Sequence, residues 1–227
     1  MKRGAKNKMK RSQVNENVLR AKKMLDSISF RLPRFAYWTM EEWKDNDIDV
    51  IKNTMLGWDI TDFGMDKFEE IGAVLFTIRN GVDGQYGTPY AEKIIYLRDG
   101  QRLPCHYHVT KTEDIINRGG GRLWIKLFNA AEDGSVDEKT PVVFYSDGVK
   151  MEAKPGEKVY VETGNSITLT PYMYHIFGAE GELVVGEVSS INDDNTDNYF
   201  SEDVSRFAEI EEDEAPLVPL CNEYDNL

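Results

Sequence analysis

The chain has 227 residues, of which 41% are hydrophobic, 11% aromatic and 30% charged, and its formal net charge is −13. These values suit one large soluble domain, and the strong negative charge argues against nucleic acid and anionic membranes as partners. No apolar run approaches the ~20 residues of a membrane span. Two cysteines do not make a disulfide framework, so we expect a reducing, cytoplasmic compartment.

The N-terminal part of the chain predicts helices. Residues 1–12 are basic with few apolar side chains, and we expect a flexible solvated tail there that is mobile at its start and ordered only near its end. Apolar residues fall on one helical stripe over about residues 15–29, and Pro33 prevents a continuation of that helix. Thr39-Met-Glu-Glu42 matches the capping-box pattern that begins a helix. Residues 13–54 are therefore predicted to form a helical extension.

Residues 55–200 have a sequence pattern typical of short β-strands. Apolar runs alternate with turn pairs such as Asn80-Gly81, Asp99-Gly100 and Asp147-Gly148. Many short strands with regular turns are typical of an antiparallel sandwich or barrel. The predicted strands are 57–63, 73–79, 92–97, 104–109, 123–128, 142–144, 149–153, 158–161, 166–170, 175–178 and 183–188.

Helical spacing returns only at about residues 201–208, so we expect a short C-terminal helix followed by a tail to residue 227. The tail is acidic at first and then apolar. The chain shows no internal repeat and no low-complexity linker, which favours a single domain over residues 1–227, with the β-barrel spanning about 55–200.

The only three histidines fall into one pattern. His106 and His108 lie one residue apart, so on a strand both imidazoles point to the same face. Glu113 follows five positions later, and His175 begins a distant strand. If the chain turns after His108, an antiparallel barrel can bring all four side chains together. Three imidazoles and one carboxylate suit a divalent metal, with Mn²⁺, Fe²⁺, Zn²⁺, Co²⁺ and Ni²⁺ all compatible.

These residues resemble the two sequence motifs of the cupin superfamily. Gly100-x5-His106-x-His108-x4-Glu113-x6-Gly120 is similar to the first motif, and Gly164, Pro171 and His175 are similar to the second with slightly different spacing. The resemblance implies a mainly β jelly-roll barrel that carries the metal inside.

A narrower resemblance, to the D-lyxose isomerase family, covers nearly the whole chain. It is carried by Arg11-Ser-Gln-Val-Asn-Glu-Asn, Phe35-Ala-Tyr-Trp-Thr-Met, the run from Gly186 to Asp197, and Glu209-Ile-Glu-Glu-Asp-Glu-Ala-Pro. The resemblance implies interconversion of D-lyxose with D-xylulose, and usually of D-mannose with D-fructose, with Mn²⁺ preferred. A homodimer is common among such cupins, so we expect one here.

Aldose–ketose isomerisation needs a cation for the developing oxyanion and a base that carries the proton. Lys111 lies between two predicted ligands, and Lys93 shares a strand face with apolar residues, so both are candidates. Glu187 interrupts an apolar strand, Asp194 follows that strand, and Glu211 lies in the acidic family-like segment. We hypothesise that Glu211 closes over the pocket and moves the proton with Lys111 as catalytic partner, while Lys93, Glu187 and Asp194 bind the sugar.

Three other functions are compatible with parts of the same sequence. Two histidines with a carboxylate also suit an Fe²⁺ dioxygenase that uses O₂. A non-catalytic sugar-binding cupin is a second alternative. A cupin-type phosphoglucose isomerase would need a basic phosphate cluster, for which the candidates are Lys93, Arg98, Arg102, Lys111 and Arg118.

Overall fold

A computed structural model describes residues 8–227. Its α-helices are α1 (Arg11–Ser27), α2 (Met40–Asp45) and α3 (Asp49–Asn53), and two 3₁₀ helices span Arg34–Tyr37 and Tyr224–Asn226. Its strands are β1 (Met9–Lys10), β2 (Gly57–Thr61), β3 (Ala73–Val82), β4 (Tyr86–Leu97), β5 (His106–Tyr107), β6 (Glu113–Ala130), β7 (Val136–Asp137), β8 (Val142–Ser146), β9 (Val149–Ala153), β10 (Lys158–Val161), β11 (Ser166–Leu169), β12 (Met173–Ser190), β13 (Tyr199–Phe200) and β14 (Ile210–Glu211).

Two long strands organise the fold. β6 and β12 have 18 residues each and pair antiparallel from Met173↔Asn129 to Ser189↔Glu113. Different partners join the two halves of each strand, with β4 and β5 on β12 and β10 and β11 on β6. The main sheet runs β2-β3-β4-β12-β6-β11-β8-β9. This exchange of partners along bent strands makes the jelly-roll barrel of a mainly β cupin fold.

Two apolar cores lie on opposite faces of strands β2 to β4. Leu75 and Ile95 face the barrel interior, whereas Val74 and Phe76 belong to a second core outside it. Helix α1 covers the outer face with side chains spaced along one stripe, which are Val14, Val18, Ala21 and Leu25. Because both faces are buried, these strands read as continuous apolar runs instead of alternating ones. In the described chain no helix is long and apolar enough to cross a membrane.

The N-terminal extension begins earlier than its sequence pattern suggested. Residues 9–10 form β1, which pairs in parallel with β14, and α1 starts at Arg11, inside the predicted tail, whereas the helix was predicted to start at about residue 15. Residues 1–7 of that predicted tail lie outside the described residues. The end of that segment is ordered, as expected, because the Arg11 guanidinium is buried and paired with Glu212 and Glu223. Local composition could not reveal partners some 200 positions away.

The predicted helix at 201–208 is absent from the structure. The chain there is irregular after β13, and the only helix beyond it in the described residues is the terminal 3₁₀ turn. Arg206, at this position, points inward and binds Asp59 and Asp194, while its carbonyl accepts a hydrogen bond from Thr61. These tertiary contacts replace the backbone bonds that a helix would have made.

The capping box at Thr39 forms as predicted and anchors α2. Thr39 Oγ1 accepts from the Glu42 amide at 3.2 Å, and Glu42 Oε2 accepts from the Thr39 amide at 2.8 Å. The following residue, Trp43, is 1% exposed and packs against Phe35 and Tyr224. The cap thus fixes the helix that delivers a large aromatic side chain to the outer core.

Thr39→Ala is expected to lower the free energy of unfolding by about 1 kcal/mol, because the helix loses its capping oxygen. Urea denaturation of the full chain measures this change. Thr39→Ser keeps the hydroxyl and serves as the matched control, with most of the stability retained. Equal loss in both variants would show that the hydroxyl bond is not what stabilises α2.

Candidate metal centre

Three buried histidines converge inside the barrel. His106 lies on β5, His108 follows in the turn after it, and His175 lies on β12 directly opposite His106 in the sheet register. His106 and His175 bring their Nε2 atoms to 3.1 Å, and the nearest nitrogens of all three imidazoles lie within 4.8 Å of one another. Strand pairing therefore assembles the group from two distant parts of the chain.

The other nitrogen of each ring fixes its tautomer. The Nδ1 atoms of His106, His108 and His175 face, in that order, the backbone carbonyls of Pro104, Asp197 and Met173. A carbonyl only accepts, so each Nδ1 carries the proton and each Nε2 turns a lone pair toward the centre. Lone pairs 3.1 Å apart repel each other unless a cation lies between them. The arrangement fits a divalent metal.

Glu113 completes the group as the first residue of β6. Its Oε1 lies 3.4 Å from His108 Nε2 and 3.3 Å from His175 Nε2. The turn predicted after His108 is present and returns this carboxylate to the histidines. His108 Nε2 is buried and makes no hydrogen bond to residues 8–227. A metal ion would satisfy this nitrogen.

The charge states match those of metal ligands. Burial, aided by repulsion from His175 and His108 if charged, holds the pKa of His106 well below its ordinary value, so its ring is neutral. Burial alone would raise the pKa of Glu113, but the Lys111 ammonium together with contacts from His108 and His175 outweighs burial and holds that pKa well below the ordinary value. Neutral imidazoles and an ionised carboxylate are the forms that bind divalent metals.

Lys111 bridges the histidine group to a second carboxylate. Its Nζ lies 2.6 Å from Glu113 Oε2, 3.0 Å from Glu187 Oε1 and 3.2 Å from Asn192 Oδ1. Burial lowers the pKa of Lys111, but the two carboxylates outweigh it, and the net pKa is raised. The lysine is thus a charged donor held beside the centre.

Lys93, Glu187 and Asp194 also meet in this pocket. Lys93 lies opposite Glu187 in the β4–β12 register, with its Nζ 3.7 Å from Glu187 Oε1 and 3.5 Å from Asp194 Oδ1. Asp194 additionally pairs with Arg206, which binds Asp59 at 2.6 Å. Burial would raise the pKa of Asp194, but Arg206 and Lys93 hold it well below its ordinary value.

The structure does not bring Glu211 to the pocket. Glu211 lies exposed on β14, where it pairs with Lys10 next to α1. Its acidic neighbours bind α1: Glu212 contacts Arg11, Asp213 contacts Ser12, and Glu214 contacts Asn15. The family-like segment that starts at Arg11 therefore binds the family-like segment that starts at Glu209. These contacts hold the C-terminal part of the chain against α1.

The pocket has an apolar wall that the sequence did not indicate. Phe200 on β13 packs its ring 5.4 Å from that of His106 and 6.0 Å from that of Phe63. Asn198 and Arg206 also line the space. The cavity volume beside the histidine group is about 30 Å³. No local pattern marked these residues, because β13 has only two.

The fold and site define the class of protein: a cupin-type barrel whose interior carries a histidine group able to bind a metal. The chain belongs to the D-lyxose isomerase family, whose sequence model matches residues 9–224. A D-lyxose/D-mannose isomerase of Serratia proteamaculans is 42% identical over 225 residues, covering 95% of this chain and 98% of the relative. The D-lyxose/D-mannose isomerase of Escherichia coli O157:H7 is 40% identical over 227 residues, with the same coverage of both chains.

Solved structures of sugar isomerases share the fold. L-ribose isomerase of Acinetobacter sp. DL28, in complex with L-ribose, has a TM-score of 0.62 at 18% identity, covering 92% of this chain and 100% of that one. L-ribose isomerase of Geodermatophilus obscurus has a TM-score of 0.60 at 18% identity, covering 91% and 100%. Family membership makes the present chain a sugar aldose–ketose isomerase, as the sequence predicted.

Proposed function

We propose that this enzyme interconverts D-lyxose with D-xylulose, and D-mannose with D-fructose, by metal-dependent proton transfer through a cis-enediol. The observation that carries the proposal is the meeting of inward-facing histidine Nε2 atoms with a buried lysine–glutamate pair in one pocket. The names of the two relatives support the sugars. The two reactions differ only in the length of the sugar, which a shared pocket can accept.

Four side chains are proposed to hold the metal: His106, His108, His175 and Glu113. Mn²⁺ is the proposed ion, and Zn²⁺, Co²⁺, Fe²⁺ or Ni²⁺ would also suit this donor set. When bound, the ion supplies Lewis acidity toward the sugar carbonyl and its neighbouring hydroxyl. Three imidazoles add no charge as ligands and Glu113 adds one negative charge, so a divalent ion would keep a net positive charge that favours this polarisation.

Glu187 is proposed as the proton carrier, in place of Glu211. Glu187 is buried in the pocket, whereas Glu113 turns Oε1 to the histidines and Glu211 lies outside. The Glu187 carboxylate takes the proton from C2 of the aldose and returns it to C1 of the enediol. The hydroxyl proton at O2 moves to O1 in the same conversion, so the ketose has the composition of the aldose.

Lys111 and Lys93 are proposed to act on the sugar oxygens. Lys111 Nζ is held by Glu113 and Glu187, so it can donate to the oxygen that becomes negative as C2 loses its proton. Lys93, fixed by Asp194, can donate to a hydroxyl farther along the chain of the sugar. Asp194 orients Lys93 through this contact and is engaged with Arg206 as well.

The charge balance of the pocket favours a neutral sugar. Each of its three cations faces a carboxylate: Lys111 faces Glu113, Lys93 faces Asp194, and Arg206 faces Asp194 and Asp59. Arg98, a member of the phosphate cluster considered from the sequence, pairs with Glu69 instead. A phosphate group would therefore have to displace existing ion pairs, which disfavours the phosphoglucose isomerase alternative.

The full-length protein loaded with Mn²⁺ is expected to convert D-lyxose, D-mannose and D-fructose to their isomers, as followed by chromatography. Protein treated with a chelator is the control and should be inactive until Mn²⁺ is restored. Turnover should continue without oxygen, which separates isomerisation from the dioxygenase alternative. No metal-dependent conversion of any of these sugars would refute the proposed function and favour the non-catalytic sugar-binding alternative. A homodimer and a cytoplasmic location remain predictions.

A further inference from the structure

One buried aspartate binds the entire turn between His108 and Lys111. Asp197 lies in the connection from β12 to β13 and is 7% exposed. Its Oδ1 accepts from the Val109 amide at 2.7 Å and the Thr110 amide at 3.2 Å. Its Oδ2 accepts from the Lys111 amide at 3.0 Å and the Thr110 hydroxyl at 2.6 Å. Three consecutive backbone donors thus depend on a single carboxylate.

The same residue also fixes His108. The Asp197 backbone carbonyl accepts the hydrogen bond from His108 Nδ1. This bond selects the tautomer whose Nε2 lone pair faces the centre and holds the plane of the ring. Asp197 therefore determines the orientation of His108 at one end of the turn and the backbone of Lys111 at the other.

We propose that Asp197 is a positioning residue that couples metal binding by His108 to the placement of the Lys111 ammonium. The proposal rests on the proposed function, which gives these two side chains their roles. A carboxylate offers only acceptors to the amides of residues 109–111. An asparagine would turn an N–H₂ group toward one of those amides, so at least one donor would lose its partner and the turn would move.

The rest of the connection supports this coupling. Asn192 Oδ1 accepts from Lys111 Nζ at 3.2 Å. Asn80 holds Asn192 through two hydrogen bonds: Asn80 Nδ2 donates to the Asn192 backbone carbonyl, and the Asn192 backbone N–H donates to Asn80 Oδ1. Lys111 is therefore fixed by this connection at its backbone and at its ammonium. A shift of the connection would change the distance between the ammonium and the sugar as well as the geometry of His108.

Asp193 in the same connection provides a matched control. Its carboxylate binds the Asn195 and Thr196 amides and the Thr196 hydroxyl, all within the connection itself, and the group is exposed. Asp193→Asn makes the same chemical change four positions away without touching His108 or Lys111. Both variants can be compared with the unaltered protein at equal Mn²⁺ loading.

The first test is release of Mn²⁺ from the loaded full-length protein on addition of excess EDTA. Asp197→Asn is expected to release Mn²⁺ at least about tenfold faster, because partners of metal-binding histidines typically contribute 10–100-fold to affinity. It should also lower kcat, since Lys111 moves, with a smaller change in KM. Asp193→Asn should stay within about twofold of the unaltered protein in both measurements.

The second test is NMR of protein labelled with ¹⁵N only in histidine and loaded with diamagnetic Zn²⁺. Because the chain has three histidines, every signal reports on the centre. Asp197→Asn should change the ¹⁵N chemical shifts of one imidazole and speed the exchange of its Nδ1 proton with water. If Asp197→Asn does not fold, Thr110→Val keeps the carboxylate and removes only the 2.6 Å hydroxyl bond, and it should show the same changes to a smaller extent.

The results separate this inference from the proposed function. Faster Mn²⁺ release and an altered imidazole support the role of Asp197, even if the unaltered protein converted none of the sugars. Sugar conversion by the unaltered protein, together with Mn²⁺ release by Asp197→Asn at the unaltered rate, would overturn it. A lower melting temperature with unchanged Mn²⁺ release and an unchanged histidine spectrum would show a purely structural role and also overturn it.

Discussion

Replacing His106 with alanine is expected to remove both the bound metal and the isomerase activity. His106 Nε2 lies 3.1 Å from His175 Nε2, so the alanine variant lacks one of two closely spaced nitrogen ligands of the proposed metal. Loss of a residue that hydrogen-bonds a metal-binding histidine typically costs about 10–100-fold in metal affinity. Loss of the histidine ligand itself should therefore cost more than about 100-fold. Elemental analysis after dialysis measures the metal content, and chromatography of D-lyxose mixtures measures turnover.

Tyr107→Phe supplies the matched control for His106→Ala. Tyr107 is the other residue of β5, and its ring stacks against Tyr199 at 5.0 Å on the side of the strand away from the histidines. This variant should keep its metal and its activity. Full metal occupancy in His106→Ala would contradict the proposed centre, because the remaining two imidazoles and Glu113 would then bind the ion unaided.

The convergence of the three histidines and Glu113 was predictable because their geometry is mostly local. A spacing of two places His106 and His108 together, and a turn follows from the need to return Glu113. His175 required only that two barrel strands pair, and the register sets it opposite His106. The place of Lys111 beside this group followed from its position between His108 and Glu113. Where ligand chemistry and short-range periodicity agree, sequence alone locates the side chains that meet.

The long strands were harder to predict. Only 123–128 of β6 was predicted as strand, since the run Asn-Arg-Gly-Gly-Gly at residues 117–121 has the composition of a turn. In the structure β6 passes through this run, with positive φ at Gly119 and Gly120 and a shift of register opposite Val184. Glycine there bends a continuous strand instead of ending it. Composition does not distinguish the two outcomes, because pairing with β12 decides between them.

The proton carrier illustrates the limit of family resemblance. The acidic segment around Glu211 matched the family, and a catalytic role was hypothesised from that match. The structure gives the segment a different physical role, in which Glu212 and Glu214 bind α1 through Arg11 and Asn15. A matching segment marks residues that resemble those of the family, but only tertiary contacts show what those residues bind.

Glu187→Gln is expected to lower kcat by about 10²–10⁴-fold while Mn²⁺ stays bound, because general acid–base catalysis typically contributes that much. The substitution keeps the size of the side chain and removes its ability to carry a proton. Glu187 lies 3.0 Å from Lys111 Nζ and outside the histidine group, so metal content should not change. KM for D-lyxose should change less than kcat, since the amide oxygen can still accept from Lys111.

Glu211→Gln is the control that decides between the two assignments. It makes the same chemical change at the exposed residue of β14, and we expect turnover and metal content equal to those of the unaltered protein. Loss of turnover in Glu211→Gln, with Glu187→Gln active, would restore the assignment made from the sequence and would require the C-terminal segment to reach the pocket during catalysis. Loss in Glu187→Gln alone places proton transfer beside Lys111, where the aldehyde oxygen of the sugar gains its negative charge.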